Sequence, residues 1–141
     1  MLGKCAQGRP CILIVDDERS ICDVLSKLFR GQGWEPIVAH HGLEACRLYE
    51  KYRKRIDVAL IDVTMPGMTG IEVFMHLYHI NHQVKVILTT GYSKIDRMPF
   101  KLECALCDFI KKPFQSDEII DTVKKYLRDS SDCAPHLSRE N

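Results

Sequence analysis

Five short apolar runs alternate with stretches of helical periodicity along this chain. We place the runs at residues 11–16, 35–40, 57–62, 84–90 and 106–111. Strands that alternate with amphipathic helices are joined by right-handed crossovers, which produce a parallel sheet covered by helices on both faces. The alternation therefore predicts an α/β fold, and 141 residues suit a single domain of this kind.

The composition of each run predicts its place in the sheet. The first and third runs are continuously apolar, as expected of central strands that are buried on both faces. Pro36 in the second run cannot donate a ladder hydrogen bond, and the fifth run mixes polar with apolar residues, so both belong at edges. These features predict a flavodoxin-like (βα)5 doubly wound parallel sheet with strand order 2-1-3-4-5. Ligands of such sheets bind beyond the carboxyl ends of the strands.

The remaining segments set the expected domain limits. We expect an N-terminal extension at 1–10, the domain at 11–128, and a disordered polar tail at 129–141. Pro99 interrupts the fourth helical stretch, so we expect a long loop from Gly91 to Met98 and then a short helix.

Charge, hydropathy and cysteine content exclude several classes of protein. A net charge of +1 does not indicate nucleic acid or an acidic membrane as a partner. No apolar run approaches the roughly 20 residues needed to span a bilayer, and the N-terminus lacks a signal peptide's apolar stretch. The seven scattered cysteines indicate free thiols, so we expect a cytoplasmic protein.

Acidic side chains stand at the ends of two predicted central strands. Asp16 and Asp17 end the first run, and Asp62 ends the third. Strand ends on one edge of a parallel sheet converge, and three ionised carboxylates in one pocket require a cation. Oxygen ligands at such a place suit Mg²⁺, so we expect it to be held by Asp16 or Asp17, by Asp62 and by the backbone carbonyl of Thr64.

Asp62 and two further residues at this edge suit phosphoryl chemistry. An aspartate can accept a phosphoryl group covalently, which makes Asp62 the candidate nucleophile. Lys112, which follows the fifth run, would neutralise the charge of the transferring group together with the metal. The hydroxyl of Thr90, at the end of the fourth run, could donate to a phosphoryl oxygen.

The chain resembles the receiver domains of bacterial response regulators, the CheY-like family. The resemblance runs from about Cys11 to Leu127. It rests on four motifs in the order and spacing of receivers, namely Ile14–Glu18, Ile61–Gly70, Thr89–Tyr92 and Phe109–Phe114.

The resemblance implies a two-component phosphorelay in which a sensor histidine kinase or a histidine phosphotransfer protein phosphorylates Asp62 with Mg²⁺. It also implies that the chain is a signalling module that catalyses only its own phosphorylation and dephosphorylation. The family's switch moves Thr90 toward the phosphoryl group while Phe109 turns inward. This repacks the face formed by the fourth helix, fifth strand and fifth helix, through which a homodimer could form. The downstream protein target is unknown, and neither nucleic acid nor a membrane is expected as a direct partner.

Some residues depart from the usual receiver pattern. Ala105 stands where many receivers have glycine, and Phe109 replaces the commoner tyrosine. Pro99 and the long loop before it resemble those of receivers attached to hybrid sensor kinases.

We also expect Thr64 and Tyr92, which flank the site, to tune the lifetime of the phosphoryl group by controlling access of water.

Several alternatives remain open on the sequence alone. Asp16–Asp17 could form a turn and helix cap, Thr89 could take the place of Thr90, and Phe109 could be an ordinary core residue. A phosphohydrolase of the haloacid dehalogenase type is a rival, but such enzymes carry Asp-x-Asp rather than adjacent acids. The chain could also be a stand-alone receiver, a receiver cut from a hybrid kinase or larger regulator, or an adaptor that works without phosphorylation.

Two other groups of potential ligands have simpler interpretations. Cys104 and Cys107 have the spacing of a redox or zinc pair, but no second pair lies near them, so packing is favoured. His76, His79 and His82 recur every three residues, and we interpret them as a solvated helix face rather than a metal site.

Overall fold

The computed structural model describes residues 8–91 and 98–128 of the chain. Strands and helices alternate throughout these ranges. Their bounds are β1 Cys11–Val15, α1 Arg19–Gly31, β2 Glu35–Ala39, α2 Gly42–Tyr52, β3 Val58–Asp62, α3 Gly70–Ile80, β4 Val86–Thr90, α4 Phe100–Ala105, β5 Asp108–Lys111 and α5 Ser116–Arg128. Every strand lies within the apolar run that predicted it.

The strands of the described residues form one parallel sheet in the order β2-β1-β3-β4-β5. The predicted order and fold class are therefore confirmed. Pro36 lies on β2 at one edge, and the mixed strand β5 lies at the other. The order places β1 and β3 side by side at the centre, with Val15 opposite Ile61, so their polar ends emerge together.

Alternating side chains of the central strands fill two apolar cores, one on each face of the sheet. Leu13, Ala59 and Ile61 pack against the buried faces of α2, α3 and α4. Ile12 and Leu60 pack on the other face against α1 and α5. Burial on both faces explains why these strands are continuously apolar in the sequence.

The start of α3 is fixed against the end of β3. Thr69 and Glu72 form a capping box, in which each side chain accepts a hydrogen bond from the backbone N–H of the other. Gly70 lies so close to the carbonyl of Asp62 that a Cβ atom would overlap it. The absence of a side chain at residue 70 therefore lets α3 begin directly beside the candidate nucleophile.

The predicted short fourth helix is present, with Pro99 immediately before its first residue, Phe100. The predictions for most of the 91–98 loop, for Tyr92, for residues 1–7 and for the 129–141 tail lie outside the described residues. None of the described helices has the length and apolar character needed to cross a membrane.

Candidate functional site

Three carboxylates meet beyond the carboxyl ends of β1 and β3. Asp16, Asp17 and Asp62 each offer an oxygen atom, and these atoms lie within 4.8 Å of one another. Asp16 and Asp62 are almost fully buried, whereas Asp17 is exposed. The structure thus brings together the acids that the sequence predicted, with one of them open to solvent.

Lys112 brings a positive charge to the same place from the end of β5. Its Nζ donates to Asp16 Oδ2 at 2.9 Å and lies 3.5 Å from Asp62 Oδ2. Its backbone N–H donates to the carbonyl of Thr90 at 2.7 Å, which ties the chain after β5 to the end of β4. The ammonium group therefore lies against the carboxylates from a fixed backbone position.

Burial and mutual repulsion shift the titration of the central carboxylate. Desolvation, followed by the negative charge of Asp16, raises the pKa of Asp62 to about 6, although Lys112 and the Thr64 N–H lower it. For Lys112, burial lowers the pKa, but the hydrogen bond and charge of Asp16 outweigh it and hold the pKa above its ordinary value. The pocket therefore holds a surplus of negative charge that one lysine does not neutralise.

The side chains present fit a hard divalent cation. Within the described ranges, Asp16, Asp17 and Asp62 are the only group of three or more histidine, cysteine or acidic residues able to converge on an ion. All three offer oxygen, which Mg²⁺ prefers, and the repulsion that raises the pKa of Asp62 is what a cation would relieve. An open pocket of about 500 Å³ adjoins them, and its walls include Thr64, Gly91 and Lys112.

The structure also locates three other predicted residues, Thr64, Thr90 and Phe109. The backbone N–H of Thr64 donates to Asp62 Oδ1 at 3.2 Å. Thr89 and Thr90 are both buried, so burial does not distinguish them, but Gly91, next to Thr90, lines the pocket. Phe109 is 41% exposed on β5, which rules out its interpretation as an ordinary core residue.

Two residues near the site were not singled out from the sequence. Glu18 lines the pocket, and its carboxylate lies 3.6 Å from Lys112 Nζ; the signal was a third acid directly after Asp16–Asp17. Cys22 lies beneath the site and donates from its Sγ to the carbonyl of Asp16 at 3.3 Å. Burial, followed by the charge of Asp16, raises the pKa of the Cys22 thiol to about 12, so the thiol stays neutral.

The two other groups of potential ligands form no site in the part of the chain that the structure describes. Cys104 and Cys107 are not joined by a disulfide, and Cys107 belongs to a core cluster. His76 pairs with Glu50 of α2 at 3.2 Å, and the ring of His82 stacks on Tyr78.

Comparisons with known proteins agree with this arrangement. The family model for the response regulator receiver domain matches residues 12–124. Sporulation initiation phosphotransferase F of Bacillus subtilis is 38% identical over 116 residues, covering 82% of this chain and 92% of that protein. The transcriptional regulatory protein CpxR of Escherichia coli is 34% identical over 119 residues, but the match covers 84% of this chain and only half of CpxR.

A solved structure resembles the chain in both fold and sequence. The response regulator protein TrrA from Thermotoga maritima, in complex with Mg²⁺ and BeF, is 32% identical with a TM-score of 0.71, over 83% of this chain and 98% of that one. The sheet order, the acidic pocket and these matches identify the same kind of module. The chain belongs to the response regulator receiver domain family of two-component signalling.

Proposed function

We propose that this receiver accepts a phosphoryl group on Asp62 from a histidine kinase or a histidine phosphotransfer protein. The observation that carries the proposal is the position of Asp62, buried at the end of β3, within reach of two other acids and 3.5 Å from the ammonium of Lys112. In the transfer, the phosphorus–nitrogen bond of a donor phosphohistidine breaks as a phosphorus–oxygen bond to Asp62 forms. Asp62 therefore has to be ionised and open to the pocket, and the pocket supplies both conditions near neutral pH.

Asp16, Asp17, Asp62 and the backbone carbonyl of Thr64 would hold Mg²⁺ in this pocket. Bound there, the ion supplies positive charge opposite the phosphoryl oxygens. Lys112, already beside Asp16 and Asp62, would contact the phosphoryl group from the other side. Thr64, which is exposed at the rim of the pocket, would influence the access of water and so the lifetime of the phosphoryl group.

An apolar groove beside the pocket fits the protein that donates the phosphoryl group. The groove has a volume of about 490 Å³ and lies between Ile21 and Val24 of α1 and Pro113 and Phe114 after β5. Lys112 lines both the groove and the acidic pocket. A helix seated in the groove would therefore hold its phosphohistidine next to Asp62, so we infer that a helical histidine-bearing donor docks here.

The response to phosphorylation would pass from Thr90 to Phe109. Thr90 is buried at the end of β4, and β5, which carries Phe109, pairs with that strand. The ring of Phe109, which is now exposed, would turn inward when the Thr90 hydroxyl moves toward the phosphoryl group. The exposed side chain of Phe100 at the start of α4 adds apolar surface to the same face, which could then bind a second copy or a target.

The signalling unit would extend over residues 11–128, since β1 begins at Cys11 and α5 ends at Arg128. Within it, the chain would catalyse only its own phosphorylation and dephosphorylation. The acids at the end of β1 are adjacent, whereas the haloacid dehalogenase type of phosphohydrolase uses Asp-x-Asp. A cytoplasmic location follows from the proposed donors, since their phosphotransfer domains act there.

Substitution of Asp62 tests the proposal directly. Asp62→Asn keeps the shape of the side chain but removes the nucleophilic carboxylate. Acetyl phosphate with Mg²⁺ should therefore add no phosphoryl group to the variant. Intact mass spectrometry measures the label, and Asp121→Asn on the exposed side of α5 is the control that should label like the native protein. Undiminished labelling of Asp62→Asn would remove Asp62 from this role.

A further inference from the structure

The loop between β3 and α3 is seated on α2 through one methionine. Gly42, the first residue of α2, has no side chain, and Met68 of the loop occupies the space beside it. A Cβ atom on Gly42 would lie 2.7 Å from Met68 Cβ and Sδ and 2.8 Å from Met68 Cγ. Because nonbonded carbon atoms prefer separations of about 3.5–4.0 Å, only glycine at residue 42 leaves room for the Met68 side chain. We call this space the Gly42 notch.

A second contact joins Met68 to the next turn of α2. The Sγ atom of Cys46, one turn after Gly42, lies 4.0 Å from Met68 Sδ. Cys46 is buried in the core between the sheet and α2, and Met68 is half-buried against that core. The methionine therefore joins the tip of the loop to a rigid part of the fold.

Other contacts hold the two ends of the loop, and Met65 within it is buried in the core. The N–H of Val63 donates to the carbonyl of Thr89 at 2.8 Å, and the N–H of Gly70 donates to the carbonyl of Val63 at 2.9 Å. Thr64 directly follows Val63 in the loop, and its N–H donates to Asp62 Oδ1. The position of the Thr64 backbone therefore depends on how the rest of the loop is held, and Met65 and Met68 both contribute to that.

We propose that Met68 and Gly42 are positioning residues for the phosphoacceptor pocket. With its side chain in the Gly42 notch, Met68 keeps the loop where the Thr64 backbone faces the Asp62 carboxylate. Neither residue touches the carboxylates; both act through Thr64. The inference rests on the proposed function, because the pocket that they shape is the one that would hold Mg²⁺ and the phosphoryl group.

The geometry also shows why a rotation of Met68 cannot relieve a filled notch. The Cβ atom of Met68 is itself one of the atoms that an alanine at residue 42 would overlap. A Cβ atom moves only with the main chain, so Gly42→Ala has to displace the loop backbone relative to the start of α2. Met68→Ala removes the rest of the side chain instead, and so loosens the tip without creating an overlap.

Titration of Mg²⁺ against the amide signals of Asp62 and Thr64 by NMR tests the inference without any phosphoryl donor. We expect Gly42→Ala and Met68→Ala each to raise the Mg²⁺ dissociation constant about tenfold, the effect typical of residues that orient metal ligands. Met68→Leu, which keeps an apolar side chain of similar volume, should restore affinity to within about twofold of the native chain.

Two matched controls separate positioning from a general loss of stability. Gly31→Ala adds a Cβ atom at the end of α1, where no atom outside its chain neighbours and the helix's own backbone lies within 4 Å, and Met75→Ala truncates a methionine on the exposed side of α3. Both should bind Mg²⁺ like the native protein. Native-like affinity in folded Met68→Ala and Gly42→Ala would overturn the inference, and so would native-like affinity in Met68→Ala alone if Gly42→Ala does not fold. Failure of the proposed function would be seen differently, because the native chain itself would then bind no Mg²⁺.

Discussion

At the scale of single residues, the site depends on a carboxylate kept in unfavourable surroundings. Asp62 is 5% exposed and lies beside the negative charge of Asp16, and both factors disfavour its ionised form. Lys112 offsets only part of this cost because its closest contact, at 2.9 Å, is to Asp16 rather than to Asp62. Without a cation, the protein thus holds an electrostatic repulsion at the carboxylate that is proposed to react.

The raised pKa of Asp62 makes a prediction about stability. Because the folded-state pKa of about 6 exceeds the ordinary 3.8, the folded protein retains the proton more strongly, and this group lowers stability as pH rises through that interval. Fully ionised, it would cost up to about 3 kcal/mol. Asp62→Asn removes that cost, so in EDTA the variant should unfold at higher urea concentration than the native chain at about pH 7.5.

The same measurement at lower pH provides the check. The difference between Asp62→Asn and the native chain should shrink as the pH falls from about 6 to about 4, because the native carboxylate then becomes protonated. Saturating Mg²⁺ at the higher pH should also reduce it, since the ion stabilises the native chain more than a variant that lacks one of the carboxylates. A difference in urea midpoint that does not vary with pH would contradict the raised pKa.

At the scale of elements, the proposed function assigns the chemistry to the loops after β1, β3 and β5 and a docking surface to α1. Val24 of α1 is 55% exposed and lines the mainly apolar groove that Lys112 also lines. An exposed apolar side chain on the rim of a reaction pocket is suited to a partner's helix rather than to the core. In the proposed function, recognition of the donor would thereby be separated from the transfer itself.

Substitution of Val24 can distinguish docking from chemistry. A phosphotransfer screen against histidine kinases and phosphotransfer proteins would first find a donor for the native chain. Val24→Glu should then slow transfer from that donor at least tenfold, because a charge enters the apolar groove, while labelling by acetyl phosphate stays unchanged.

Leu43→Glu on α2 is the matched control, since Leu43 is 52% exposed and lies outside the groove. It should be phosphorylated at the native rate by both donors. Equal slowing of Val24→Glu and Leu43→Glu, or slowing with acetyl phosphate as well, would argue against docking in the groove.

At the scale of the whole molecule, a parallel sheet joins a site at one edge to a surface on its flank. β3 and β5 both pair with β4, whose final residue is Thr90. Under the proposed function, a small movement at Thr90 would therefore be passed to the face formed by α4, β5 and α5. On that face Phe100 is 71% exposed, the largest exposure among the described large apolar side chains.

Oligomeric state offers the test at this scale. We expect the chain to be monomeric in EDTA and to dimerise through the α4–β5–α5 face when treated with acetyl phosphate and Mg²⁺, as measured by sedimentation velocity. Phe100→Glu should remain monomeric when phosphorylated, whereas Met75→Glu, on α3 outside that face, should dimerise like the native chain. A phosphorylated native chain that stays monomeric would exclude the dimer and leave a different protein as the occupant of this face.

The sequence by itself determined the strands, their order and the acids at their ends. Hydrophobic periodicity is a local property, and Pro36 and the continuous apolar runs reported edge and central positions because those positions differ in hydrogen bonding and burial. Asp16, Asp17, Asp62 and Lys112 could be assembled from the topology alone, since parallel strand ends share an edge of the sheet.

Only the tertiary structure decided how these residues meet. The partner of Lys112, the pKa of Asp62 and the groove beside Val24 all depend on distances between segments far apart in the chain. The notch at Gly42 is the clearest case, because a glycine at the start of a helix carries no mark of the methionine that fills the space beside it. Local patterns specify which elements form, whereas packing between them sets the positions of side chains on the scale of an ångström, which is the scale at which phosphoryl transfer and metal binding operate.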